Sequence, residues 1–209
     1  MSKSYKTLLT ETHGKHILLV TINRPNVANA FNTQMAKELI DLFEDLTLNP
    51  KLVRAIVLTG AGERAFCAGG DLKERNGMAD KAWQTQHLVY ERMVRVIIGC
   101  PIPLIGAING AAFGGGCELV AAMDFTYVSE TAKFAQTEVT LGIIPGAGGT
   151  QTLARAVGER RAKELILTGR VFDAQEACKW GLANQVFAIN DLLPAALKTA
   201  KQISANAPI

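Results

Sequence analysis

Ala111-Ala112-Phe113-Gly114-Gly115-Gly116-Cys117-Glu118 is the stretch on which the reading of this chain turns. An apolar run at 103–108, suited to a buried strand, precedes it, and residues suited to a helix follow as far as about Met123. Glycines that open a helix leave bare backbone N–H groups at its start, where a negative charge is stabilised. Glu118 stands in that first turn. Glu138 lies twenty residues further on, shortly before a second glycine-rich turn, Leu141-Gly142-Ile143-Ile144-Pro145-Gly146-Ala147-Gly148-Gly149-Thr150. Between the two glutamates, 125–128 and 132–135 read as short strands around a turn at 129–131. The chain therefore runs outward and returns, partly as helix at about 1.5 Å per residue and partly as strand at about 3.3 Å. Glu138 is carried back toward the level of Glu118. Two carboxyl groups can take one proton and give another, and beside bare N–H donors they suggest proton chemistry next to a carbonyl. The residues also admit a plainer reading, with Glu118 favoured by the helix dipole alone and Glu138 an ordinary loop carboxylate.

Outward from this centre the pattern is α/β. Residues 16–22 and 53–59 read as strands. A helix between them is capped by Asn32 and ends at Asn49-Pro50, with Phe31, Met35, Leu39, Leu42, Phe43 and Leu46 on one face. Residues 60–80 read as a loop rich in glycine and charge, and 81–99 as a helix. Helices are expected at 148–157, 159–168, 173–180 and 191–205. Strands alternate with helices early and helices dominate late, which gives one core without linkers or tandem repeats.

The chain has 209 residues, 48% of them hydrophobic and 20% charged, enough for one sizeable core. A net charge of +3 is too mild for a nucleic-acid surface but suits a small polyanionic ligand. The four cysteines, Cys67, Cys100, Cys117 and Cys178, form no CxxC pair, which argues against zinc and dithiol chemistry and fits a reducing compartment. No stretch of about 18 apolar residues is present. The first residues carry neither an apolar signal core nor an Arg-rich presequence, so a cytoplasmic location is expected.

Several familiar motifs fail on inspection. Gly60-Ala61-Gly62-Glu63-Arg64-Ala65 fits a dinucleotide fingerprint, but Phe66-Cys67-Ala68-Gly69-Gly70 breaks the helix that fingerprint needs. The turn at 146–150 lacks a P-loop lysine. No serine sits in a Gly-x-Ser-x-Gly elbow. His13, His16 and His87 have no metal-ligand spacing and read as surface or packing residues, and Cys117 reads as packing.

The segment 103–158 resembles the signature of the crotonase (enoyl-CoA hydratase/isomerase) superfamily. The resemblance is carried by the quoted stretch from Ile108 to Leu119, by Phe134-Ala135-Gln136-Thr137-Glu138, and by the turn from Leu141 to Gln151. Asn23-Arg24-Pro25, Asn29-Ala30-Phe31 and the run from Ala65 to Leu72 match upstream, and Leu167-Thr168-Gly169 and Gly181-Leu182 match downstream. The resemblance implies a spiral of ββα units with a C-terminal helical region, and an acyl-coenzyme A substrate. It implies an oxyanion hole from the N–H groups of Gly70 and Gly115, and catalytic carboxyls at Glu118 and Glu138. Two glutamates rather than one point to an enoyl-CoA hydratase, which adds water to a trans-2-enoyl-CoA. Gly146 is expected to orient the water. Ala28 and Ala30 are expected along the coenzyme, and Lys73 at a coenzyme phosphate. Ala68, Asp71, Leu72 and Gly114 lie in the same substrate-facing segments, with Asp71 holding its loop. No cofactor is implied beyond the coenzyme A of the substrate.

The departures are Asn26, where many hydratases carry lysine, and Thr137, where proline is common. The chain also stops at Pro208-Ile209, where relatives continue through helices that cover the acyl pocket and build trimers. The expected organisation is thus a catalytic core over 1–190 and the start of a helical, trimer-building region over 191–209, giving a homotrimer or a dimer of trimers. Asp71-Leu72-Lys73-Glu74-Arg75 further resembles methylglutaconyl-CoA hydratases that also bind AU-rich RNA. An RNA-binding surface would interleave basic and aromatic residues, and at 6% aromatic content the chain shows none, so nucleic acid is not an expected partner.

Overall fold

The computed structural model describes residues 3–207. The chain opens with β1 (Leu8–His13) and β2 (Ile17–Ile22), then a short 3-10 turn and α1 (Thr33–Leu48). Next come β3 (Ala55–Gly60), β4 (Ala65–Cys67), α2 (Leu72–Arg75) and α3 (Asp80–Ile98). They are followed by β5 (Leu104–Ile108), β6 (Ala111–Phe113), α4 (Gly115–Ala122), β7 (Phe125–Ser129) and β8 (Lys133–Ala135). A 3-10 turn, Glu138–Leu141, leads to α5 (Gly149–Val157), α6 (Glu159–Thr168), β9 (Phe172–Asp173), α7 (Ala174–Trp180), β10 (Gln185–Phe187) and α8 (Ile189–Ser204).

Two sheets result. The larger has the order β1-β2-β3-β5-β7-β10 and the smaller β4-β6-β8-β9. Each successive pair, β3 with β4, β5 with β6 and β7 with β8, places its first strand in the large sheet and its second in the small one. Helical chain then returns to the start of the next pair. This is the expected ββα spiral. Large-sheet neighbours from β2 onward are parallel (Ile56 lies opposite Leu104, Ile105 opposite Phe125), and only β1 is antiparallel.

Both faces of the large sheet are covered, so β3 is buried at all six positions. With a side-chain period of two, Ile56 and Leu58 join Val20, Leu104, Phe43 and Met93 in the main core. Ala55 and Val57 face the other way, and with Ile105 and Ala107 they receive Leu192, Ala196 and Ala200 of α8. The apolar face read at the C-terminus therefore packs on this sheet. Pro208 and Ile209 lie outside the described residues.

The elements missed in the sequence share a cause. β1 is an edge strand with Leu9 and Glu11 turned to solvent, and it owes its form to the ladder that β2 supplies. β4, β9 and β10 hold only two or three residues, too few to show a period. β4 and α2 both fall in the segment read as a loop. The Asn32 cap is present, its side chain accepting from the Met35 N–H at 3.0 Å.

Candidate active site

The site stands at one edge of the small sheet. β4, β6 and β8 run parallel there, with Cys67 beside Ala112 and Phe113 beside Ala135. Their carboxyl ends open on the same side, the usual place for a ligand in a parallel sheet. Gly69 and Gly70 follow β4, Gly114 to Glu118 follow β6, and Glu138 follows β8. Parallel pairing of β6 with β8 is what brings the two glutamates together.

Gly70 sits between two backbone bonds to Phe31, with which it forms an isolated parallel bridge. Phe31 N–H donates to Gly69 O at 2.8 Å, and Asp71 N–H donates to Phe31 O at 2.9 Å. Among the described residues the Gly70 N–H has no backbone acceptor. Gly115 is the first residue of α4, so its N–H is one of the unpaired donors of a helix start. The two loops interlock: a Cβ on Gly69 would stand 2.7 Å from Phe113 O and 3.2 Å from Gly115 N. A Cβ on Gly115 would strike the Phe31 ring at 2.5 Å.

The Glu118 carboxyl is buried. Its Oε1 accepts from the N–H groups of Ala147 and Gly149, both at 2.8 Å. Gly149 must lack a side chain, because a Cβ there would stand 2.8 Å from Glu118 Cγ. Burial pushes Glu118 up to about 7; the Glu138 charge adds to this, and the two backbone bonds oppose it. Glu138 is also pushed up by burial, opposed by its own backbone N–H, and its Oε2 has no hydrogen-bond partner among the described residues. The carboxyls face successive glycines of one turn. Glu138 Oε1 lies 3.2 Å from the position of a Gly114 Cβ, and Glu118 Oε2 lies 3.7 Å from that of a Gly115 Cβ.

The raised value has a consequence for stability. Between the ordinary carboxylate value of 4.5 and about 7, Glu118 holds more proton in the folded chain than in the unfolded one. Its contribution is therefore fully present below 4.5 and is lost as pH rises through about 7. Urea denaturation across this range should show stability in the wild type declining relative to Glu118→Gln as pH rises. A constant difference between the two would contradict the assignment.

The cleft between these loops has a volume of about 110 Å³. Of the residues expected at the site, Ala68, Gly70, Leu72, Gly114, Gly115, Glu118, Glu138 and Gly146 line it. Ala28, Ala30, Asp71 and Lys73 stand outside its wall. Asp71 serves its own loop: Arg24 donates to it at 2.9 Å, and it caps α2 by accepting from Lys73 N–H at 3.1 Å. Burial pushes the Asp71 carboxyl up, but Arg24 and the cap bonds outweigh it and hold it below the usual range. Asp71→Ala should cost about 2 kcal/mol in urea denaturation, since it removes a cap and leaves Arg24 without its partner. A loss below about 0.5 kcal/mol would reduce the pair to a surface contact.

Sequence reading missed part of the wall. His87, read there as a surface or packing residue, lines the cleft, stacked on Trp83 with ring centroids 5.4 Å apart. Arg75, Tyr90 and Phe31 line it too. Helical spacing places His87 on α3 but says nothing of what that face meets. Cys117 is fully buried, and burial pushes its thiol up, which agrees with a packing role. Among the described residues no group of three or more His, Cys, Asp or Glu side chains could hold a metal ion. No helix among them is long and apolar enough to cross a membrane.

Spiral, twin sheets and cleft together define an α/β enzyme of the crotonase fold. Residues 12–209 match the enoyl-CoA hydratase/isomerase family. The short-chain-enoyl-CoA hydratase of Clostridium acetobutylicum is 40% identical over 202 residues, covering 97% of this chain and 77% of that protein. The crotonyl-CoA hydratase of Syntrophomonas wolfei is 37% identical, covering 96% of this chain and 76% of the relative. The crystal structure of an enoyl-CoA hydratase from Bacillus anthracis superimposes with a TM-score of 0.94 at 40% identity, over 97% of this chain and 78% of that one. The chain belongs to the enoyl-CoA hydratase/isomerase family.

Proposed function

We propose that this protein is an enoyl-CoA hydratase, catalysing the reversible syn addition of water across the C2=C3 bond of a trans-2-enoyl-CoA. The observation that carries this reading is the pair of buried carboxyls facing the same turn as two backbone N–H donors. Gly70 and Gly115 polarise the thioester oxygen as charge develops on it, helped by the dipole of α4. Glu118 takes a proton from water as its oxygen bonds to C3, and Glu138 gives a proton to C2. The surroundings support these roles. Two N–H donors on Glu118 Oε1 fix that carboxyl in place beside the turn, and Glu138 Oε2, with no hydrogen-bond partner among the described residues, is free to carry a proton. Gly146 lies at the cleft wall, where it can orient the attacking water. Ala28, Ala30 and Lys73, outside that wall, are assigned to the coenzyme end.

The reaction needs no cofactor beyond the coenzyme A of the substrate. The assembly is a homotrimer or a dimer of trimers, a reading supported by exposed apolar residues beside the site, Leu141, Ile144, Leu167 and Val171 among them. Free cysteines agree with a cytoplasmic location.

Incubation with crotonyl-CoA should give loss of enoyl-thioester absorbance. Its kcat/KM should rise with pH through about 7, as Glu118 loses its proton. This trend runs opposite to the stability trend that the same group produces. No turnover by folded protein, or a rate that falls over this range, would sink the reading.

A further inference from the structure

α3 carries no group used in the hydration just described, yet it supports two of the turns that do. Tyr90 Cε2 lies 3.7 Å from where a Cβ on Gly70 would stand. One helical turn earlier, His87 meets the turn after the 3-10 segment. Its Cε1 lies 2.5 Å from where a Cβ on Gly146 would stand, with Nδ1 at 3.4 Å and Nε2 at 3.5 Å. Further along, Val94 Cγ1 lies 3.8 Å from the same position on Gly148. Residues 87, 90 and 94 are spaced by three and four, so they share one face of the helix.

The imidazole is held from behind. Its ring is parallel to that of Trp83, with an interplanar angle of 3°. Nε2 stands 3.3 Å from Glu91 Oε1, and Arg95 donates to the other oxygen of Glu91 at 2.8 Å. The turn is tied to the chemistry at its other end. Ala147 and Gly149, next along the chain from Gly146, donate the two N–H groups that hold Glu118 Oε1. An aromatic ring thus braces one side of the turn, and a carboxyl is fixed on the other. In a close-packed interior, a gap left beside Gly146 would let the turn shift and carry its N–H groups with it.

We propose that His87 is a positioning residue for the hydration: its ring, packed Cε1-first against Gly146, sets the place of the 146–149 turn and through it the orientation of the Glu118 carboxyl. This rests on the hydratase reading and adds to it a residue outside the reacting groups. The glycine at 146 follows from the same contact. Its φ lies outside the left-handed region, so alanine there carries no backbone strain, and the ring alone leaves no room for a Cβ. The contribution of His87 is geometric, so an aromatic ring without nitrogens keeps most of it.

The test is a cycle of variants assayed with crotonyl-CoA. His87→Ala should lower kcat by about tenfold and leave KM within about twofold. His87→Phe should restore most of kcat. Loosened N–H groups stabilise the Glu118 charge less, while Glu138 still faces it across the cleft. The rise of kcat/KM with pH should therefore move above about 7 in His87→Ala and stay near it in His87→Phe. Gly146→Ala should lose about a hundredfold in kcat, because its Cβ displaces the ring or the turn. Adding His87→Ala removes the obstacle, so the double variant should be about tenfold faster than Gly146→Ala. Urea midpoints of the same proteins should recover in the same order. His87→Val, apolar and too short to reach Gly146, takes the place of the alanine variant if that one does not fold. Losses that simply multiply in the double variant, or wild-type kcat and pH profile in folded His87→Ala, would overturn the proposal. A loss that phenylalanine leaves unrestored would overturn it too, since the effect would then belong to the imidazole nitrogens. Absence of turnover by folded wild type would instead sink the hydratase reading, while the urea midpoints would still decide the contact between His87 and Gly146.

Discussion

Glu118→Gln should lower kcat for crotonyl-CoA hydration by about 10²–10⁴-fold, and Glu138→Gln by a similar factor, with both proteins folded. The glutamine at 118 is isosteric, and its carbonyl oxygen can still accept from Ala147 and Gly149 N–H, so the turn from 146 to 149 keeps its anchor. What is lost is the basic oxygen that takes the proton from water. Glutamine at 138 cannot give up a proton to C2, although it fills the same space. Both losses should fall mainly on kcat, because neither change touches the coenzyme end or the N–H groups of Gly70 and Gly115. The double variant should be little slower than the slower single one, since the two groups act on one addition. Stopped-flow or steady-state absorbance at the enoyl thioester checks this. A loss under tenfold from either single variant would remove that residue from the chemistry.

Gly116→Ala should destabilise the fold by about 3 kcal/mol or more. A Cβ on Gly116 would stand 1.9 Å from the Cys67 carbonyl oxygen and 2.8 Å from its carbon. Both are backbone atoms of β4, so no side-chain rotation relieves the clash. α4 or β4 must move by an ångström or more, and each is pinned: α4 by Leu119 and Val120 in the core, β4 by its pairing with β6. The same displacement separates the two N–H groups, since Gly70 follows β4 and Gly115 precedes Gly116. A misplacement of that size costs about 10²-fold in rate even in molecules that fold. Gly14→Ala is the comparison. Its φ of +63° is strained for alanine, but nothing lies within 4 Å of the added carbon. It should cost only about 1 kcal/mol and leave kcat unchanged. Urea denaturation and crotonyl-CoA kinetics on the pair distinguish clash from strain. Equal losses would show that the contact with Cys67 relaxes freely.

Much of the fold was legible because its signals are local. The apolar face of α1, its Asn32 cap, and the buried runs of β2, β3 and β5 are written in residues a few positions apart. The site was legible in part for the same reason. Glycines beside Glu118 mark a helix start, and the short strands after it predict a return of the chain toward Glu138. Arg75, His87 and Tyr90 left no such mark. Each sits in a helix whose local pattern is complete without the cleft, and each became part of the wall only when α2 and α3 packed against the turns after β4 and β6.

The sequence by itself therefore determined the family, the two carboxyls and the glycines that let backbone approach a ligand. These depend on residue type and short spacing. Tertiary structure alone decided that β4, β6 and β8 end side by side, that burial carries Glu118 to about 7, and that Arg75, held by Gln86, lines the same cleft. Pairing between strands more than twenty residues apart, and the solvent removed by the packing that follows, are properties of the folded chain and of no segment within it.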